Sequence, residues 1–297
     1  MPWIQAIIDT NPAQTDVLED LLIAIGAQAV TMRDGANQPI YEPKLGTTPL
    51  WDNVVLIALF DAEDPVDSQM ERLAEIYKEE LELDFPSYKL ELVEDKDWVR
   101  EWMDKFKPMP FGERLWICPS WLEPEDANAV NLNLDPGLAF GTGTHPTTAL
   151  CLKWLDQAQL EGKTVMDFGC GSGILGIAAM LLGAERLYGI DIDPQAILAS
   201  DENTSRNKVD ASLASFYLPE DAPEVQTDLV LANILSGPLV ELKDSILSYL
   251  KPGGELVLSG ILASQAQTVA DAYSADCDHI VVTEEDGWVR ICAQKRI

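Results

Sequence analysis

The sequence predicts an α/β protein of two domains, a small α+β domain followed by a larger, mostly parallel sheet wound by helices. Three observations carry that reading. Between residues 164 and 273, apolar strand-like runs alternate with helical patterns, and such alternation builds a parallel sheet covered by helices on both faces. The closing segment "HIVVTEEDGWVRICAQ" instead joins two strand-like runs through Asp286-Gly287, which ends the sheet in an antiparallel hairpin. The first ninety or so residues follow a third pattern, βαββαβ, the order of a split βαβ or ferredoxin-like domain.

Taken in order, "WIQAIID" alternates as a strand. In "NPAQTDVLEDLLIAIGA" Asn11 caps a helix, Pro12 takes its first position and Gly26 stops it, with Leu18, Leu21, Leu22 and Ile25 on one face. Strand-like "AVTMRD", a polar loop from Asp34 to Asn53, strand-like "VVLIALF", a helix in "PVDSQMERLAEIYKEELEL" and strand-like "YKLELV" complete a domain over residues 1–93. "EDKDWVREWMDKFKPMPFG" then clusters charge and sets Trp98 and Trp102 at helical spacing ahead of Pro108 and Pro110. It reads as a linker helix over residues 94–110, or as a helix of one of the two cores.

The second domain spans residues 111–297. It begins with short strand-like pieces, "RLWIC" and "AVNLNLD". The alternation follows: "TVMDFG", a helix from Ile174, "RLYGID", a helix from Pro194, "ASLASFY", "TDLVLANI", a helix in "GPLVELKDSILSYL", "GELVLSG" and a helix in "ASQAQTVADAY".

Charge limits the partners. Fifty acidic residues against 20 basic give a net charge of −30, which repels nucleic acid and anionic membrane and draws in basic partners, or serves only solubility. The five cysteines are scattered, without a C-x-x-C pair, and the chain has two histidines. Neither a disulfide framework nor a metal site is indicated. No signal-peptide pattern and no apolar run of membrane-spanning length occurs, so the expectation is a soluble, cytoplasmic protein; a monomer is expected as well.

The chemistry centres on "VMDFGCGSGILG", where four glycines fall within eight positions between a strand and a helix. Glycine at such a turn lets a ligand approach the backbone. Gly171-x-Gly173-x-x-Gly176, with Asp191 twenty residues beyond Gly171, satisfies the dinucleotide fingerprint. Asp167, immediately ahead of the glycines, argues against it: a carboxylate there repels a pyrophosphate and favours an ammonium or sulfonium. S-adenosylmethionine carries both cations and no phosphate. The run from Asp167 through Gly169 and Gly171 to Gly173 has the D-x-G-x-G-x-G form and resembles the cofactor loop of seven-stranded, Rossmann-like methyltransferases. Their sheet also ends in an antiparallel hairpin. Asp191 can accept both ribose hydroxyls of either adenosine cofactor, and Asp193 ahead of Pro194 caps a helix. Asn233 in "LANILSGPL" either aims an amine at the methyl group, as the Asn of the N-P-P-Y motif does, or simply ends a strand at a turn.

Ahead of this core lies "NLNLDPGLAFGTGTHPTTALCLKWL", where Gly137, Gly141 and Gly143 precede a helix opened by Thr144, His145 and Pro146. Together with "DWVREWMDKFKP", "RLWICPSW" and "ANIL" in the same order, it resembles the PrmA-type methyltransferases of ribosomal protein L11 along the whole chain. The resemblance implies that Thr148, Gly169, Asp191 and Asn233 contact S-adenosylmethionine. It further implies that the N-terminal domain grips the substrate, and that the products are methylated lysines and a methylated α-amine. The alternatives are methylation of another amine, an amide or a nucleic acid, a nicotinamide-dependent oxidoreductase, and an RNA-binding module. Acidic charge and the absence of basic, aromatic RNA-binding strings in residues 1–93 weigh against contact with nucleic acid.

Overall fold

A computed structural model of the chain describes residues 2–40, 47–93, 106–135 and 145–297. These fall into two compact units, one within residues 1–103 and one within 104–297.

The first unit runs β1 (Trp3–Thr10), α1 (Pro12–Ala24), β2 (Ala29–Asp34), β3 (Val54–Asp61), α2 (Val66–Leu81) and β4 (Tyr88–Val93). Its strands order β2-β3-β1-β4, every neighbour antiparallel. This is the ferredoxin-like arrangement. Asn11 caps α1 by accepting from Ala13 N at 3.0 Å. Alternation then does the packing: Ala6 and Ile8 of β1 and Leu56, Ala58 and Phe60 of β3 bury one face of the sheet with Leu18 and Leu22 of α1 and Met70, Leu73 and Tyr77 of α2. Leu21 and Ile25 pack at the margin of the same core.

Most of the linker helix expected over residues 94–110 lies outside the described residues. Its end is not helical: Met109–Pro110 form β5, which pairs antiparallel with β6 (Leu115–Cys118), while β6 pairs parallel with β7 (Val130–Asn133). This small sheet opens the second unit. After α3 (Pro146–Gln157) come β8 (Thr164–Phe168), α4 (Ile174–Leu181), β9 (Arg186–Ile190), α5 (Pro194–Arg206), β10 (Ala214–Tyr217) and β11 (Thr227–Asn233). The rest is α6 (Ser236–Glu241), α7 (Lys243–Ser248), β12 (Leu250–Leu262), α8 (Ala266–Tyr273), β13 (Cys277–Glu285) and β14 (Trp288–Lys295).

The seven strands order β10-β9-β8-β11-β12-β14-β13. The first five run parallel, and β14 pairs antiparallel with both β12 and β13. Asp286 and Gly287 between β13 and β14 both take positive φ, 52° and 78°, as a two-residue hairpin turn of the primed type requires. Successive core residues of the central strands serve opposite faces. Val165, Leu229, Leu231 and Val257 pack with α3 and α4, whereas Met166, Val230, Leu256 and Leu258 pack with α6, α7 and α8. That is why these strands read as unbroken apolar runs.

The helix predicted through "GPLVELKDSILSYL" is instead two short helices meeting at Leu242. Buried Tyr273 donates its hydroxyl to Leu239 O at 2.8 Å, taking the carbonyl that an unbroken helix would offer to Lys243 N. Strand order reverses between β8 and β11. In open α/β sheets a ligand site forms there, beyond the carboxyl ends of the strands.

Asp156, buried at the end of α3, ties the small sheet to that helix. Its carboxylate accepts from Glu113 N, Arg114 N and Leu115 N at 2.9, 2.8 and 2.8 Å. A Cβ on Gly112, at φ 143°, would run into the same carboxylate. Asp156→Ala strands three backbone donors, so we expect a loss on the order of 3 kcal/mol in the second unit. A urea-unfolding midpoint unchanged from that of the parent chain would contradict this.

Candidate active site

At the carboxyl end of β8 the chain turns sharply toward β9. Gly169 N and Cys170 N both donate to Ile190 O, at 2.8 and 3.0 Å, and Gly173 N closes a turn onto Cys170 O at 2.8 Å. Gly169, Gly171 and Gly173 all take left-handed φ, between 55° and 76°, which glycine alone adopts without strain. Space is equally restrictive. A Cβ on Gly169 would run into the Ile234 side chain, and one on Gly173 would lie 2.9 Å from Ser200 Oγ.

Helix α5 secures the loop from one side. Ser200 Oγ donates to Gly171 O at 3.0 Å and Asn203 Nδ2 to Ser172 O at 2.9 Å. Asn207 exchanges two hydrogen bonds with the backbone of Asn133, 2.7 and 2.8 Å, and so fixes β7 beside it. Sequence reasoning missed these three residues. The available signal was Ser200, Asn203, Thr204 and Asn207 at helical spacing on one face, all of them buried. Polar side chains on an inward face call for hydrogen-bond partners, which Ser200, Asn203 and Asn207 find here and the Thr204 hydroxyl, among the described residues, does not.

Both predicted carboxylates lie at the loop, in different environments. Asp191 is half-buried, accepting from Gly171 N at 2.8 Å and from Asp193 N at 3.0 Å, one bond to each oxygen. Each oxygen keeps a lone-pair direction for a further donor. Asp193 caps α5 through Gln195 N at 2.9 Å. Asp167 is buried beneath the loop and accepts from Gly176 N at 2.8 Å, in the first turn of α4. Burial pushes its pKa up to about 7, against the Gly176 hydrogen bond and helped by the negative charge of Asp191. Gly176 is needed for closeness: a Cβ there would crowd Leu187 and the Asp167 carboxylate.

Asn233 ends β11 on the other side of β8. Its Nδ2 donates to Thr148 Oγ1 at 3.2 Å, and Thr148 is buried in the first turn of α3. The Asn233 Oδ1 atom is buried with no hydrogen-bond partner among the described residues. Buried amide oxygens are usually hydrogen-bonded; Gln69 Oε1 and Asn131 Oδ1 are unpaired as well, but only Asn233 stands at the glycine edge. His145 caps α3, its Nδ1 accepting from Thr147 N, and its ring lies edge-on to Trp288 at 4.7 Å. Burial lowers its pKa, and its Nδ1 is engaged by Thr147 at the cap. Gly137, Gly141, Gly143 and Thr144 lie outside the described residues.

This arrangement suits a nucleoside carrying positive charge. No lysine or arginine stands between Val165 and Glu185 to meet a phosphate, whereas two carboxylates and an unpaired amide oxygen converge there. A cavity of about 590 Å³ lies elsewhere, at the amino ends of β8, β11 and β12. Its lysines are already matched: Lys251 pairs with Asp228 at 2.7 Å and Lys163 with Glu255. The glycine edge is therefore the candidate site.

Residues 2–296 match the family model described as "Ribosomal protein L11 methyltransferase (PrmA)". The ribosomal protein L11 methyltransferase of Pseudoalteromonas atlantica is 54% identical over 297 residues, covering 100% of both chains. That of Pseudomonas paraeruginosa is 53% identical over 296 residues, 100% of this chain and 99% of its own. Among solved structures, a ribosomal protein L11 methylase from Lactobacillus delbrueckii subsp. bulgaricus superposes with a TM-score of 0.57 at 29% identity, covering 65% of this chain and 100% of that one. With a full-length family match and relatives above half identity, the chain belongs to the ribosomal protein L11 methyltransferase (PrmA) family.

Proposed function

We propose that this chain transfers methyl groups from S-adenosylmethionine to amines of ribosomal protein L11, namely lysine side chains and the N-terminal α-amine. It would act as a single chain in the cytoplasm. Family membership supports the substrate, and the unpaired Asn233 Oδ1 at the glycine edge is the observation that carries the mechanism.

When bound, S-adenosylmethionine supplies an electrophilic methyl group on a sulfonium. The chain's part is to hold, orient and exclude water. Gly169, Gly171 and Gly173 leave three positions of the loop without a side chain, and the side chains of Cys170 and Ser172 between them are buried. Asp191 offers its spare lone pairs to ribose hydroxyls, and Asp167 contributes negative charge from beneath. Thr148 holds the Asn233 amide by its nitrogen, which leaves the oxygen to accept a hydrogen from the incoming amine and so direct the nitrogen lone pair. A lysine of ordinary pKa near 10.4 is mostly protonated at neutral pH, and desolvation in the site favours its neutral form. No dedicated base is assigned: His145 is committed to its cap, and Asp167 lies under the loop.

Charge distribution supports the first unit as the part that grips substrate. Residues 1–103 hold 22 acidic and 7 basic residues, against 28 and 13 in the much longer remainder. The negative charge is thus nearly twice as dense there. A basic protein would be steered toward it, and away from wrong partners, by that field.

Intact mass of unmethylated L11 incubated with the chain and S-adenosylmethionine should rise in steps of one methyl group. The steps should vanish with Asp191→Ala and slow about 10²-fold with Asn233→Ala. An unchanged L11 mass, despite binding of S-adenosylhomocysteine, would overturn the substrate assignment.

Asp167 gives a second test. A bound cation favours its ionised form, so binding below pH 7 expels a proton. Affinity for S-adenosylmethionine should therefore fall as pH drops through about 7, by at most about tenfold per unit. Asp167→Asn should flatten that dependence in calorimetric titrations, and an unaltered slope would contradict the role.

A further inference from the structure

β12 carries an irregularity that faces the site. Leu258 pairs with Ile291 of β14, but the next pair is Ile261 with Val289, so β12 holds one residue too many. This is a β-bulge at Ser259–Gly260, and bulges bend a strand and re-aim what lies next to it. Gly260 takes φ 84°. Buried Ser259 donates its hydroxyl to Val289 O at 3.0 Å, within the stretch where the ladder is interrupted.

What fills the bulge is the backbone that follows Asn233. A Cβ on Gly260 would run into the carbonyl oxygen of Ile234 and stand 2.7 Å from its carbonyl carbon and 3.1 Å from its nitrogen. These are main-chain atoms with no rotamer to retreat into. Ser259 is the partner of Asn233 across the β11–β12 ladder. On its other side, Ile234 places Cγ2 where a Cβ of Gly169 would be. One residue thus touches both the β12 bulge and the first glycine of the cofactor loop.

We propose that the Ser259–Gly260 bulge is a positioning device for methyl transfer: it seats the Ile234 backbone against the sheet, and thereby sets the direction of the Asn233 amide relative to the Gly169 loop. The inference rests on the methyltransferase reading and adds to it a residue that touches neither amine nor cofactor. Gly260 acts by being absent as a side chain. A methyl group there pushes Ile234 outward and turns Asn233 with it, and a displacement of about 1 Å at reacting groups costs on the order of 10² in rate.

The test compares Gly260→Ala with Gly253→Ala in the full chain. Gly253 lies on the same strand at φ 77°, with nothing nearer its Cβ position than Ile297 Cγ1 at 3.9 Å. It therefore carries a similar backbone cost without the collision. The readouts are the ¹H–¹⁵N signals of the Asn233 side-chain amide, assigned by their loss in Asn233→Ala, and kcat and KM for L11. Gly260→Ala should shift those signals and lower kcat about 10 to 10²-fold with KM nearly unchanged, while Gly253→Ala does neither. Should Gly260→Ala not fold, Ser259→Ala loosens the bulge without adding bulk and should move the same amide by less. Unmoved Asn233 signals in the folded variant, or equal effects from Gly253→Ala, would overturn the proposal. Because the amide is read without substrate, loss of the L11 activity reading and loss of the positioning role are separate outcomes.

Discussion

The backbone of Gly169–Gly173 lies against Ile234 and α5 with no room for a Cβ at either end, and the rest of the site is placed by that contact. A loop in which every second residue is glycine has few side chains of its own to hold it. Here the hold comes from neighbouring elements: the Ile190 carbonyl takes two amides, Asp191 takes a third, and Ser200 and Asn203 take the carbonyls of Gly171 and Ser172. The polar groups of the loop are thus largely satisfied within the protein before any ligand arrives. Such preorganisation reduces the ordering that binding would otherwise require.

The same edge holds two carboxylates in contrasting environments. Asp167 has one backbone donor, from Gly176, and little water, so its ionised form is disfavoured. Asp191, half-exposed with two backbone donors, is the acid left free to meet hydroxyl groups. The two acids share a loop but do different work because their burial differs. Thr148 and Asn233 add a third arrangement, in which one hydrogen bond holds the nitrogen of an amide and leaves its oxygen unpaired among the described residues.

Features that depend on local backbone chemistry were legible in the sequence. The Asp286-Gly287 turn, the Asn11-Pro12 and Asp193-Pro194 helix starts and the glycine loop each announce a φ requirement or a cap through one or two residues. The antiparallel finish of the sheet followed from the first of these. Features made by distant segments were not legible. The bond from Tyr273 to Leu239 O beside the break at Leu242, the tie of Asn207 to Asn133 on β7, and the bulge at Gly260 against β14 and Ile234 each join residues far apart in the sequence. Of the site, Asp167, Asp191 and the glycines came from spacing. Thr148 came only through family resemblance, since nothing local to α3 points to a partner 85 residues away.

The central claim is that ligand and chemistry occupy the glycine edge of the large sheet, where Asn233 Oδ1 stands unpaired. Its most direct test is a ¹H–¹⁵N titration of the full chain with S-adenosylhomocysteine. The account predicts the strongest shifts at the amides of Gly169, Gly171 and Gly173 and at the Asn233 side chain. Shifts gathered instead around Lys163, Lys251 and Glu255, at the cavity on the opposite edge, would contradict it.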